Sequence, residues 1–120
     1  MNKWDEIKEL CPNLYCEGVY FECGPGWFDL ILKLSIKLEQ IIKNHPNGEG
    51  MYASQVKEKY GMLRFYMSYE TEEITKLIEE AENLSYITCE VCGEPGTHRV
   101  KSWHEVRCDK CYKESNETNT

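Results

Sequence analysis

Apolar residues recur at helical spacing in three stretches of the chain. Trp4, Ile7 and Leu10 share one face of a short helix, Lys3 to Leu10, which Asn2 can cap and Pro12 ends. Phe28, Ile31, Leu32, Ser35, Leu38 and Ile42 form a broad stripe on a helix from about Trp27 to Lys43, widened by Leu30, Leu34 and Ile41. A stripe that wide predicts the central helix, buried against a sheet. Ile74, Leu77, Ile78, Ala81 and Leu84 define a third helix, Glu72 to Leu84, capped by Thr71. Its acids, Glu72, Glu73, Glu79, Glu80 and Glu82, read as a solvated outer face. Tyr15 to Cys23 mixes aromatics and Val with polar residues and predicts a short strand.

A period of two appears in Tyr52 to Tyr69, which predicts a β-hairpin. Gly61-Met62 as the two central residues suits a type II′ turn and sets Lys59 opposite Arg64 and Lys57 opposite Tyr66. One face then carries Val56, Tyr60, Leu63, Phe65 and Met67, with Glu58 out of place. The other carries Gln55, Lys57, Lys59, Arg64, Tyr66 and Ser68. Like charges directly opposite one another destabilise a sheet unless they are neutralised. Bulk salt, one of the many glutamates or an anionic ligand would each do so. A slip of one residue would send Arg64 and Tyr66 to the other side.

Composition narrows the classes. The 120 residues allow one ordinary domain, or a small one with a metal-bound appendage. A formal charge of -7 argues against non-specific binding to nucleic acid, which requires basic surface. No apolar run approaches the ~18 residues of a membrane span. The N-terminus is too polar for a signal peptide, so the expected location is the cytoplasm.

Seven cysteines in such a chain point to metal ligands or reduced thiols rather than disulfides. Four fall into a pattern. Cys89 and Cys92, then Cys108 and Cys111, form two C-x2-C pairs separated by fifteen residues, the spacing of a four-cysteine zinc site. Four thiolates close the coordination sphere, so the zinc is expected to be structural, with His98 and His104 as ligands only if a cysteine fails. Residues 89–112 then form a zinc ribbon, residues 1–88 an α+β core with a small antiparallel sheet packed on two main helices, and residues 113–120 a tail too polar to order. Arg99, Lys101, Arg107 and Lys110 of the ribbon, with Trp103 and His104 between them, suit nucleic-acid stacking, but Glu90, Glu94, Glu105 and Asp109 oppose it, and docking on the core is the competing use. Cys11, Cys16 and Cys23 read as ordinary thiols, with Cys23 a minor candidate nucleophile because a helix start follows it. That start, Gly24-Pro25-Gly26, offers free N–H groups as an anion seat.

Gly26-Trp27-Phe28-Asp29-Leu30, the hairpin residues Val56 to Gly61 and Leu63 to Tyr66, and the paired cysteines resemble a family of small bacteriophage and prophage proteins, over roughly residues 10–112. Met62 departs from that pattern, where a small or polar residue is more usual. The resemblance suggests a phage-encoded protein, acting in the host cytoplasm, that counters a bacterial defence. No HExxH, GxSxG or P-loop motif is present, so an enzyme is not expected. The expected function is binding of an anionic, nucleotide-like ligand, with sequestration of a host immune signal as the use the resemblance suggests. Lys57, Lys59 and Arg64 would meet phosphate, and Tyr66 and Trp27 the base or ribose. The alternative is a zinc-ribbon module that binds host protein or nucleic acid through Arg99, Lys101, Trp103 and Arg107. A homo-oligomer is compatible with either.

Overall fold

The structure is a computed structural model that describes residues 3–100 and 102–118; the cap expected at Asn2 and the cation Lys101 lie outside them. Helix α1 (Lys3–Leu10) leads to a two-residue strand β1 (Phe21–Glu22). A single 3-10 turn, Pro25–Trp27, runs into α2 (Phe28–Asn44). Strands β2 (Ala53–Lys59) and β3 (Met62–Met67) form the hairpin, and α3 (Glu72–Ser85) follows. Strands β4 (Thr97–Val100) and β5 (His104–Arg107) and helix α4 (Asp109–Thr118) complete the chain.

This is the α+β arrangement the sequence predicts, with one change in the sheet. Its order is β1-β2-β3, and β1 joins β2 in parallel. The expected strand from Tyr15 shrinks to two residues because Tyr15 is buried and its hydroxyl bonds Ser35 Oγ at 2.5 Å, which holds the preceding segment on α2. Nearby, Glu39 of α2 is 3% exposed and accepts from Leu14 N (2.8 Å) and Asn13 Nδ2 (2.8 Å). A buried carboxylate inside an apolar stripe thus fastens the loop that follows α1.

Val56, Leu63 and Phe65 of the hairpin enter the core with Ile31, Leu34 and Leu38 of α2 and Ile74 and Ile78 of α3. The hairpin register corrects the expectation. The two central residues are Tyr60 and Gly61, both at positive φ (55° and 79°), so the turn is of the type I′ kind rather than II′. Lys57 therefore faces Arg64, Lys59 faces Met62 and Gln55 faces Tyr66. A slip of two residues leaves each side chain on its predicted face. Tyr60 is the exception: it leaves the core face for the turn and is 63% exposed. Glu58 explains its odd position by accepting the Gly61 N–H at 2.7 Å, which pins this turn.

β3 is an edge strand, and α3 covers its free amides. Leu63 N–H donates to Ser85 Oγ (2.9 Å) and Phe65 N–H to Glu82 Oε2 (3.2 Å). Glu82 is thus not on the solvated face, and burial raises its carboxyl pKa while the Phe65 amide and nearby Arg64 oppose the shift. Ser85 is buried and Leu84 is 52% exposed, the reverse of a hydrophobic sorting. The helix rotates to satisfy strand amides rather than to hide one leucine. Thr71 caps α3 as predicted, accepting from Ile74 N at 3.2 Å. Helix α4 continues to Thr118, where the sequence predicts a disordered tail from Lys113; the second cysteine pair brackets its start, Cys108 just before it and Cys111 in its first turn, with Tyr112 N bonded to Cys108 O (3.0 Å). Asn119 and Thr120 lie outside the described residues.

Ser85→Ala strands the Leu63 amide without its acceptor and is expected to cost about 1–3 kcal/mol, read as a lower urea midpoint at constant m-value. An unchanged midpoint would show that water replaces the hydroxyl.

Candidate functional site

Cys89, Cys92, Cys108 and Cys111 come together at the end of the ribbon. Their sulfurs all lie within 4.8 Å of one another, and the Cys92–Cys108 pair is 3.6 Å apart. Four soft donors in that space can hold one metal ion. Cys89 and Cys111 are buried and Cys92 is exposed. Burial pushes the Cys89 thiol up, but backbone N–H groups of Cys108, Cys92 and Val91 aim at it and bring it down to about 7, while burial and the neighbouring sulfurs push Cys111 up.

The first cysteine knuckle docks on the start of α2. Gly26 N–H donates to the Glu90 carbonyl (2.7 Å) and Gly24 N–H to the Glu90 carboxylate (2.8 Å). A Cβ on Gly24 would collide with the Glu90 carbonyl, and one on Gly26 with the Cys89 carbonyl. The two glycines are therefore required by close backbone approach. The anion seat read from Gly24-Pro25-Gly26 is real in chemistry, but the chain's own Glu90 fills it. Burial raises the Glu90 carboxyl pKa, the Gly24 amide lowers it, and Glu58 raises it further.

Trp27 joins this contact rather than a ligand surface. It is fully buried, and its indole Nε1 donates to the Thr88 carbonyl at 2.9 Å. As an expected ligand-binding residue it is displaced, because the docked knuckle covers it. A cavity of about 350 Å³ opens beside Gly26 and Gly93, rimmed by Asp29, Lys33, Lys37 and Glu80. None of the ligand residues expected from the sequence lines it.

The ribbon also touches the hairpin turn. A Cβ on Gly61 would come within 2.9 Å of His98 Cδ2 and 3.3 Å of Glu105 N. Here Tyr86, His98 and His104 form a chain the sequence did not reveal. Tyr86 Oη meets His98 Nδ1 at 2.8 Å, and His98 Nε2 meets His104 Nδ1 at 3.0 Å. The two imidazole centroids are 5.1 Å apart with planes 18° apart, so the rings meet edge to edge and share one hydrogen. Tyr60 lies edge-on to His104, with centroids 5.7 Å apart. Both histidines thus serve the seam between turn and ribbon, and neither is needed as a substitute metal ligand.

The remaining predicted residues stay together. On the outer face of the hairpin, Gln55–Tyr66, Lys57–Arg64 and Lys59–Met62 are successive cross-strand pairs. Lys57 and Arg64 are half-buried, while Lys59 and Tyr66 are exposed. Glu22 of β1 lies beside Lys57, and Glu82 of α3 acts on Arg64. The Lys59 ammonium rests 5.5 Å from the Tyr60 ring centroid. Among the described residues, ion pairs within 4 Å are confined to the ribbon: Arg99 with Asp109 at 2.8 Å and Arg107 with Glu105 at 3.0 Å. Arg99 also stacks over Tyr112 (4.1 Å) and the Trp103 indole donates to Glu105 (3.1 Å).

Comparison with protein-family models, with curated proteins and with solved structures finds no match to this chain. No described helix is long and apolar enough to cross a membrane.

The half-buried Cys23 thiol is poorly suited to be a nucleophile. Burial, reinforced by Glu90 and Glu58, pushes its thiol up to about 12, and burial with Glu39 pushes Cys11 up to about 11. Cys16 is exposed. Brief iodoacetamide treatment of metal-loaded protein at pH 8 is expected to label Cys16 alone, and chelator is expected to expose Cys89, Cys92, Cys108 and Cys111 as well. Mass spectrometry reads the sites; rapid labelling of Cys23 in the loaded protein would contradict the burial described.

Proposed function

We propose that the chain is a binding module, stapled by one structural zinc ion, whose outer hairpin face takes an anionic, nucleotide-like ligand. The zinc reading rests on the donor set. Zinc–sulfur bonds of about 2.3 Å set sulfurs about 3.8 Å apart in a tetrahedron, close to the 3.6 Å of Cys92 and Cys108. With four protein ligands no position is left for substrate, so the ion folds the ribbon and does not react.

The observation that carries the ligand reading is a contrast between two sets of cations. The ribbon's Arg99 and Arg107 are already held by Asp109 and Glu105, which counts against the ribbon as a reader of nucleic acid. Lys57 and Arg64 stand directly opposite each other and make no ion pair with any described residue, although Glu22 and Glu82 are close by. Placing like charges face to face costs stability, and an anion between them removes that cost. Arg64 offers bidentate contact to phosphate, and Tyr66 offers a ring for a base. Binding rather than chemistry fits this face, whose groups are donors and a ring. The resemblance to bacteriophage proteins gives such a binder a use, holding a host signalling nucleotide away from its receptor in the bacterial cytoplasm.

Thermal shift of zinc-loaded protein against a broad nucleotide panel tests this. At least one nucleotide is expected to raise Tm, Lys57→Glu or Arg64→Glu to abolish the shift, and Lys110→Glu in the ribbon to leave it intact. Silence across the panel would sink the reading. Separately, chelation is expected to lower Tm sharply, with one zinc per chain by elemental analysis.

A further inference from the structure

The hairpin register says more about the ligand than its charge. We infer that it carries phosphate groups separated by a sugar, as in a phosphodiester-linked dinucleotide or short single strand, and that it lies lengthwise along the hairpin. This deepens the reading of the outer face as an anion site and rests on it.

The cations fall on two successive pairs. Lys57 and Arg64 form one, and Lys59, opposite Met62, belongs to the next. Pairs on one face are two residues apart, about 6.6 Å at a rise of ~3.3 Å per residue. The Lys59 ammonium leans on the ring of Tyr60, the first residue of the turn. There are thus two separate seats: a double cation, and beyond it a single one. Directly linked phosphates share one bridging oxygen and fill one seat. Phosphates with a sugar between them reach both.

The acids fix the direction. Glu22 flanks Lys57 on the β1 side, and Glu82 neighbours Arg64 on the α3 side. A polyanion crossing the sheet would meet a carboxylate at each edge. Along the hairpin it meets the Gln55–Tyr66 pair, then Lys57–Arg64, then Lys59. Tyr66 can stack on a base while Gln55, directly opposite, meets its edge; the cations then take the backbone.

Isothermal titration of the zinc-loaded full chain with 5′-phosphorylated adenylyl-adenosine (pApA), ADP, ATP and an eight-nucleotide adenylate strand tests this. pApA and ADP carry closely similar charge, pApA with one adenosine more, and pApA is expected to bind about tenfold tighter, a margin that depends on the added Lys59 contact. Lys59→Gln is expected to erase that margin by weakening pApA far more than ADP. Equal affinity for ADP or ATP, or a margin that survives Lys59→Gln, would overturn the inference while the anion site stands. Failure of all four to bind would overturn both. Affinity that rises from pApA to the eight-nucleotide strand assigns the site to a strand; equal affinity assigns it to a dinucleotide.

Discussion

Two backbone amides at the start of α2 have no partner in their own helix, and a single residue of the ribbon supplies both. Glu90 gives its carboxylate to Gly24 and its carbonyl to Gly26. Much else follows from this clasp. The glycines must lack side chains, because the knuckle backbone occupies the space. The knuckle brings the Thr88 carbonyl over Trp27, so the largest fully buried side chain has its polar atom satisfied. And because Glu90 lies between Cys89 and Cys92, the order of the cysteine cluster and the order of the helix start are one property.

The ribbon grips the core a second time at the hairpin turn, where Gly61 lies on His98 and Tyr60 on His104. The two grips divide the labour. Ribbon groups are committed to each other and to the core: Arg99 to Asp109, Arg107 to Glu105, His98 to Tyr86. The outer hairpin face makes no ion pair within 4 Å among the described residues, and its two strands are backed by α3 and, at the tip, by the ribbon. A binding surface benefits from such support, since less ordering is left to do when a ligand arrives.

Local signals were legible, and long-range ones were not. The cysteine pairs could be read because each places its two ligands within a few residues of one another. Helices α2 and α3 could be read from their stripes, and the Thr71 cap from its position. The hairpin faces survived an incorrect turn because the two registers differ by two residues; choosing between them took His98 and Glu58, contacts that periodicity does not carry. Trp27 looked available as a stacking ring because its partner, Thr88, is 61 residues away. Glu39, Glu82, Glu90 and Ser85 look like surface residues on any hydropathy reading. Each is instead spent on backbone amides elsewhere in the chain.

The clasp also sets a schedule for synthesis. The α2 start and Trp27 emerge from the ribosome early, while Thr88 and Glu90 arrive much later and the last cysteine of the cluster, Cys111, later still. Until then the nascent chain holds a tryptophan without its acceptor and two amides open to solvent. Its final native contacts close backwards, the newest residues completing some of the oldest. A ribosome stalled before Thr88 therefore carries a chain in which Trp27 and the Gly24 and Gly26 amides still lack their native partners.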